Sequence, residues 1–156
     1  MLSANENKVV LPDGTHEVFH EFENIRKLRS NDKVYSNVFC HNDFWANNIL
    51  INADKMVVID WELCGYGDAY SDLCHITRFC DTPESAEKLI LKNYFGYYED
   101  EMLITLQKMK YVGMTLEVAW AFFHSAVHDP AANQEFDYYR FGKDVVELLL
   151  SGKNHF

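Results

Sequence analysis

The sequence predicts an α+β domain, mostly helical, that carries one small β-hairpin, and two observations carry that expectation. Apolar residues recur at helical spacing along most of the chain. One stretch, Phe39 to Asp60, reads instead as strand, polar loop, strand, turn, strand, with Asp43, Asn48 and Asp60 at the strand ends. A loop held between strands shows side chains to a ligand while the scaffold keeps it still.

The elements follow in chain order. Residues 1–14 are polar and close on Pro12-Asp13-Gly14, a turn signal, so they read as a linker or flexible start in which Val9-Val10-Leu11 is a short strand or the linker's end. From Thr15 to Arg29 a helix is marked by Val18, Phe19, Phe22, Ile25 and Leu28. Thr15 is its expected cap, and Arg26, Lys27 and Arg29 sit where the helix dipole favours cations. His16 and His20 lie four apart without a third ligand nearby and read as an exposed polar face. After a turn at 30–33, Val34 to Cys40 is a strand leading into the loop, and residues 49–59 form the hairpin with Asn52 to Lys55 as its turn. Gly65-Tyr66-Gly67 reads as a turn that delivers Asp68, an N-cap, to a helix running to about Cys80, with Asp72 one turn in. Pro83 opens the next helix at its first position, with Thr82 as cap, Leu89, Ile90, Tyr94 and Phe95 as core face and Gly96 as stop. Glu99 to about His128 is one long helix. Its expected buried stripe is Met102, Leu103, Leu106, Met109, Val112, Leu116, Trp120 and Phe123, with Gly113 allowing close packing. Asp129-Pro130 breaks it, and Glu135 to Leu150 is the last helix.

A length of 156 residues reads as one domain, 1–156, and 48% apolar residues exclude a disordered chain. A net charge of -10 argues against a nucleic-acid partner and suits a cationic one. Cys40, Cys64, Cys74 and Cys80 form no Cys-x-x-Cys pair and read as buried reduced thiols. The polar start, Met1 to Lys8, is no signal peptide, and no apolar run approaches the ~20 residues of a membrane span. A cytoplasmic location is the expectation.

Phosphoryl transfer between oxygens needs a carboxylate that takes or orients the attacking hydroxyl's proton, and oxygen ligands for the magnesium on the ATP phosphates. Asp43 suits the first task, and Asn48 with Asp60 the second. His41, Asp43 and Asn48 fit the His-x-Asp-x4-Asn spacing of a kinase catalytic loop, and Asp60-Trp61-Glu62 stands where Asp-Phe-Gly would. Chance would produce that spacing in a chain of this length at about the one per cent level. The competing reading is a turn capped by His41 and Asp43 with Asn48 in an Asx-turn; the apolar strand ending in Asp60 at the right distance argues against it.

The run His41-Asn42-Asp43-Phe44-Trp45-Ala46-Asn47-Asn48-Ile49-Leu50, with Val58-Ile59-Asp60-Trp61-Glu62 and Gly65-Tyr66-Gly67-Asp68-Ala69-Tyr70-Ser71-Asp72-Leu73, closely resembles the choline/ethanolamine kinase branch of the aminoglycoside phosphotransferase-like kinases. The resemblance is strong over about residues 36–75 and looser over the C-terminal helices. It implies the C-terminal lobe of a protein-kinase-like fold, ATP as co-substrate, Mg2+ as cofactor and a small cationic alcohol as substrate. Carried over position by position, it makes Asp43 the catalytic base, Asn48 and Asp60 the magnesium ligands and Asp72 a support of the loop. His41 is expected as a buried anchor that aims Asp43, and Trp45 as a packed cover of the loop. Glu62 matches the Glu that follows the magnesium Asp in many such kinases and joins the substrate-binding candidates. A kinase of this type also needs an N-terminal lobe with a phosphate-covering loop and a lysine. No Gly-x-Gly-x-x-Gly occurs and few residues precede His41, so the expectation is a C-terminal lobe alone, cut or truncated, weakly active or inactive by itself.

A quaternary ammonium has no hydrogen to donate and is bound by aromatic faces and nearby carboxylates. The last helices offer Trp120, Phe122, Phe123, Tyr138, Tyr139 and Phe141, interleaved with Glu117, Asp129 and Asp137. Trp120, Phe123 and Tyr138 fall where the resembled kinases carry cage aromatics; Phe123 reads as core, whereas Trp120 and Tyr138, with polar handles, are the substrate-binding candidates. The pattern departs from the family in that no acidic residue lies between Leu73 and Phe79. Choline, ethanolamine and thiamine therefore stay open as substrates. The alternatives are an aminoglycoside phosphotransferase, which needs an acidic cleft with few aromatic walls, and a non-catalytic binding lobe.

Overall fold

The computed structural model describes residues 9–31, 37–78, 82–127 and 136–152. Five α-helices and four short strands run in the order α1 (Thr15–Arg29), β1 (Val38–Cys40), β2 (Ile49–Asn52), β3 (Lys55–Val58), β4 (Gly65–Gly67), α2 (Ala69–Arg78), α3 (Glu84–Phe95), α4 (Asp100–Val127) and α5 (Tyr138–Leu150). They divide into two compact units: residues 25–113, and the two ends of the chain, up to Asn24 and from Met114 onward.

Within residues 25–113, β2 and β3 form the expected antiparallel hairpin, Ile49 opposite Val58 and Asn52 opposite Lys55. The Gly65-Tyr66-Gly67 segment is not the turn expected of it. It is β4, paired antiparallel with β1 so that Tyr66 faces Phe39 and Gly65 faces Cys40. The Phe39 and Tyr66 rings meet edge-on at 5.9 Å. A three-residue strand with two glycines shows no alternation of polarity, and only its partner reveals it. The expected strand over Val34–Cys40 is ordered as β1 from Val38; residues 32–36 lie outside the described set.

Asp68 caps α2, its Oδ1 accepting the Tyr70 amide at 3.1 Å. The same carboxylate takes the Arg29 guanidinium in a fork, Nε to Oδ2 at 2.5 Å and Nη2 to Oδ1 at 2.9 Å. The end of α1 is thereby tied to the start of α2, and Arg29 also lies 4.9 Å above the buried Tyr70 ring. Helix α3 begins one residue later than expected. Pro83 occupies its cap position, Thr82 does not cap it, and no side chain accepts there. Gly96 ends it as predicted, at φ 81°, its amide bonded to the Lys92 carbonyl. Its expected core face is rotated: Leu89 and Tyr94 are exposed, while Leu91 and the carboxylate of Glu87 are buried. Glu87 is accommodated by an ion pair with Lys110 of α4, so an acidic residue occupies a face that periodicity alone assigns to apolar ones.

Helix α4 shows the largest difference. Met102, Leu103, Leu106, Met109 and Val112 are buried as expected, but Leu116, Trp120 and Phe123 are 53%, 44% and 62% exposed. Beyond Gly113 the buried residues are Met114, Thr115, Val118, Ala121 and Phe122. The apolar stripe continues along the helix, but the covered face moves to another side. Gly113 matters on its own account: a Cβ there would stand 2.9 Å from Arg78 Nη1 and 3.4 Å from Cys74 Sγ.

In the unit made by the chain ends, Thr15 does not cap α1. Its hydroxyl donates to the Pro12 carbonyl at 2.7 Å, and the carbonyl of Gly14 receives the Val18 amide. Val18 and Ile25 are buried along α1, whereas Leu28 is exposed. Val9 to Leu11 form no strand; the Val10 carbonyl accepts from the Tyr139 hydroxyl at 3.0 Å. Helix α5 starts at Tyr138, later than expected, because Asp137 caps it through the Arg140 amide at 2.9 Å; Glu135 lies outside the described residues. Gly142 lets α4 approach, since a Cβ would meet Phe122 Cε1 at 2.9 Å. No helix among the described residues is long and apolar enough to cross a membrane.

The thiols differ from expectation at one position: Cys40 and Cys74 are buried, Cys64 is exposed, and Cys80 lies outside the described residues. Burial, reinforced by the Asp72 and Asp68 charges, pushes the Cys40 thiol up to about 11. Burial pushes Cys74 up to about 12. Iodoacetamide at pH 8 is expected to alkylate Cys64 well before either; peptide mapping that found Cys40 or Cys74 labelled first would contradict the packing described. Asp68→Ala removes both the Arg29 fork and the α2 cap, and is expected to cost about 2–3 kcal/mol in urea unfolding.

Candidate active site

The polar loop leaves β1 at Cys40 and enters β2 at Ile49, and its shape is dictated by partners at both ends. Asp72, in the first turn of α2, accepts the His41 amide on Oδ2 at 2.8 Å and the Asn42 amide on Oδ1 at 2.8 Å. One carboxylate thus holds two consecutive N–H groups, each a charge-assisted bond of about 1.5–3 kcal/mol. Directly after the second of them the chain turns through Asn42 at φ 64°, a conformation that Asn tolerates better than most residues. The Asn42 side-chain amide donates to the Leu63 carbonyl at 2.9 Å, closing the loop onto the segment after β3.

His41 is 2% exposed. Its Nδ1 accepts the Asp43 amide at 3.3 Å, which leaves Nε2 to carry the proton and donate to the Ile59 carbonyl at 2.8 Å. The Phe44 and Trp61 rings lie 5.9 and 4.6 Å from the imidazole. His41 is therefore buried and bonded to the backbone at both nitrogens.

Asn48 donates from Nδ2 to both the backbone carbonyl of Asp43, at 2.9 Å, and its carboxylate Oδ2, at 3.1 Å. Because the amide nitrogen is committed to Asp43, Oδ1 is left as the acceptor end of the side chain. The Asn48 carbonyl receives the Ile59 amide at 2.9 Å. Ile59 is thus held at its N–H by Asn48 and at its C=O by His41, and Asp60 is the next residue along the chain. Asp60 takes φ 66°, ψ 55°, and leads into a single 3-10 turn, Trp61–Leu63. The Trp61 indole N–H donates back to the Val58 carbonyl at 2.9 Å. Glu62 is exposed in that turn.

Two residues that periodicity did not single out flank the loop. Trp45 lies against His75 at 6.0 Å, edge-on, and beneath the Arg78 guanidinium at 4.3 Å. Burial, and then the Arg78 charge, lower the His75 pKa below its usual value. The sign in the sequence is the pair of basic residues, His75 and Arg78, in the last turn of α2.

In the other unit, Trp120 and Tyr138 are brought together, their rings 5.3 Å apart. His124, one turn after Trp120, stacks on Tyr138 at 5.2 Å with 23° between planes, and Phe136 approaches Tyr138 at 4.9 Å. His124 was legible as an i, i+4 neighbour of Trp120; Phe136 was not. Asp137 is engaged as the α5 cap, Phe122 is core, and Asp129 lies outside the described residues.

A family model described as "Phosphotransferase enzyme family" matches residues 7–104. Protein LicA of Haemophilus influenzae is 28% identical over 145 residues, 88% of this chain and 51% of its own length. A LicA homolog of Metamycoplasma hominis is 32% identical over 89 residues, 50% of this chain and 36% of its own. Among solved structures, a choline/ethanolamine kinase family protein from Mesorhizobium loti matches with a TM-score of 0.79 at 20% identity, covering 93% of this chain and 48% of that one. An ethanolamine kinase of Plasmodium vivax matches at 0.67 and 15% identity, over 92% and 44% of the two chains. The chain spans about half the length of the relatives it matches most fully. The fold class read from the sequence, α+β and mostly helical with a kinase-like arrangement, is the fold of these proteins.

Asp72→Asn retains one acceptor oxygen but turns an NH2 toward the second loop amide. Its expected effect is a loss of about 2 kcal/mol, with amide exchange at His41 and Asn42 accelerated ahead of the rest of the chain by hydrogen-exchange NMR. Unchanged exchange at both would show that the carboxylate does not hold the loop.

Proposed function

The chain belongs to the phosphotransferase enzyme family, and from that membership we propose that it is the catalytic-loop half of a kinase that moves the terminal phosphoryl group of ATP onto the hydroxyl of a small amino alcohol, of choline or ethanolamine type. The observation that carries the reading is the closure of the hairpin base, where Asn48 is bonded to Asp43 and Ile59 is bonded to both His41 and Asn48.

Asp43 is the catalytic base. Its carboxylate takes the proton of the alcohol as the alcohol oxygen bonds to the terminal phosphorus and the bond to the bridging oxygen of ADP breaks. The Asn48 amide holds that carboxylate in place, and His41 and Asp72 hold the backbone that bears it. Asn48 Oδ1 and the Asp60 carboxylate would hold Mg2+. Both are hard oxygen donors, and two protein ligands completed by phosphate and water are the usual magnesium arrangement. Among the described residues no group of three or more His, Cys, Asp or Glu could hold a metal ion. When bound, the ion neutralises charge on the phosphates.

Trp120 and Tyr138 are the proposed cation wall. Supporting this are their mutual packing, the 44% exposure of Trp120, and the net charge of -10. Glu62, exposed after Asp60, is proposed on the substrate side. The aromatic cluster weighs against an aminoglycoside. The cytoplasm is the proposed location.

In the complete enzyme, Asp43→Ala is expected to lower ATP- and Mg2+-dependent turnover of choline or ethanolamine by about a thousandfold or more while the circular dichroism spectrum is kept. A turnover within about tenfold of wild type would remove Asp43 as the base. Trp120→Ala is expected to raise KM for a quaternary ammonium substrate by about tenfold with little effect on KM for ATP; equal effects on both would place the cation elsewhere.

A further inference from the structure

We infer that Arg78 is a positioning residue for the Asp43–Asn48 loop and acts on it through Trp45. Arg78 closes α2 and is only 8% exposed. Burying a guanidinium costs several kcal/mol unless its surroundings compensate, and the Trp45 indole is one of the groups that surround it. Its Cζ lies 4.3 Å from the centroid of the Trp45 indole, well inside cation–π range. The room for it is made by Gly113, where a Cβ would stand 2.9 Å from Nη1 and 3.3 Å from Cδ. His75, one turn earlier on α2, meets the same indole edge-on at 6.0 Å. The indole is therefore set by two α2 side chains and, through Arg78, by the backbone of α4.

Trp45 passes that setting to the loop within one residue's reach. Its amide donates to the Asp43 carbonyl at 2.9 Å, and its carbonyl accepts the Asn48 amide at 3.0 Å. A shift of the Trp45 backbone, which the seated indole resists, would therefore be passed to both residues whose side chains meet at 3.1 Å. A planar guanidinium stacks flat on an indole; an ammonium keeps the charge but not the plane. Arg78→Lys is accordingly a partial substitute and Arg78→Met, of similar stem length, is not one.

The catalytic consequence rests on the reading of Asp43 given above, whereas the positioning itself does not, and the experiment separates the two. Backbone amide exchange is followed by NMR in the wild-type chain and in Arg78→Met, Arg78→Lys and Trp45→Leu. Exchange at the Trp45 and Asn48 amides is expected to accelerate by about tenfold in Arg78→Met and Trp45→Leu and less in Arg78→Lys, with Leu91 and Leu106 within about twofold of wild type. Unchanged loop exchange, or an equal rise at Leu91 and Leu106, would overturn the inference. Should Arg78→Met fail to fold, Gly113→Ala, which crowds the guanidinium from the α4 side, takes its place with the same expected pattern. In the complete enzyme, Arg78→Met is expected to lower kcat by about tenfold at nearly constant KM. A loosened loop with wild-type kcat, in an enzyme that Asp43→Ala inactivates, would also overturn it, whereas an active Asp43→Ala enzyme would overturn the reading of Asp43 alone.

Discussion

The carboxylate of Asp72 accepts the amides of His41 and Asn42, both at 2.8 Å, and the geometry of the loop follows from that one anchorage. With the backbone entering the loop pinned to the first turn of α2, His41 is buried in one orientation and one tautomer, and its Nε2 reaches the Ile59 carbonyl. That bond sets the end of β3, and with it the start of Asp60. The placement also suits α2 itself, since a negative charge in the first turn of a helix complements the dipole. A single side chain therefore satisfies two loop donors and a helix terminus together.

Two of the four described non-glycine residues at positive φ, Asn42 and Asp60, lie in and just after the polar loop. Asn42 and Asp60 both take positive φ, at 64° and 66°, conformations that cost non-glycine residues about 1 kcal/mol or more. Each is surrounded by bonds that hold it there: Asn42 by Asp72 and the Leu63 carbonyl, Asp60 by the bonds to Ile59 on one side and the folded-back Trp61 on the other. The surroundings overdetermine the backbone, which is what a preorganised charge site requires. By contrast, the hairpin that carries the site is lightly covered: Leu50, Ile51, Met56 and Val57 are exposed on its two faces. A two-stranded ribbon is marginal on its own in water, and here its base is held by the Asn48 and His41 bonds to Ile59.

Buried charge in residues 25–113 follows a consistent rule. Asp68 is matched by Arg29, Glu87 by Lys110, and the Arg78 guanidinium lies on an indole. Each of these links a different pair of elements, so the polar interior ties α1 to α2, α3 to α4 and α2 to the loop. Apolar burial is non-directional; these contacts are directional and give the elements their register against one another.

The loop was legible because its information is local. His41, Asp43, Asn48 and Asp60 lie within a single strand–loop–hairpin unit, where turn length and alternation decide which side chains meet, and Asp68 and Gly96 announce helix ends by residue type alone. Periodicity was a good guide to the existence of α1, α3 and α4 and a poor guide to what covers them. The stripe through Leu116, Trp120 and Phe123 is continuous with the buried one through Met102 and Met109, yet burial passes to Met114, Val118 and Phe122 once Gly113 is behind. Nothing in a helical repeat says which neighbour arrives. The same holds for β4, whose two glycines show no pattern without β1, for Glu87, which is buried because Lys110 meets it, and for Arg78, whose indole partner is distant in sequence. By itself the sequence determined the hairpin and the polar loop that leads into it. Tertiary structure alone decided which faces are covered and which charges are paired, because both depend on partners brought together only when the chain is folded.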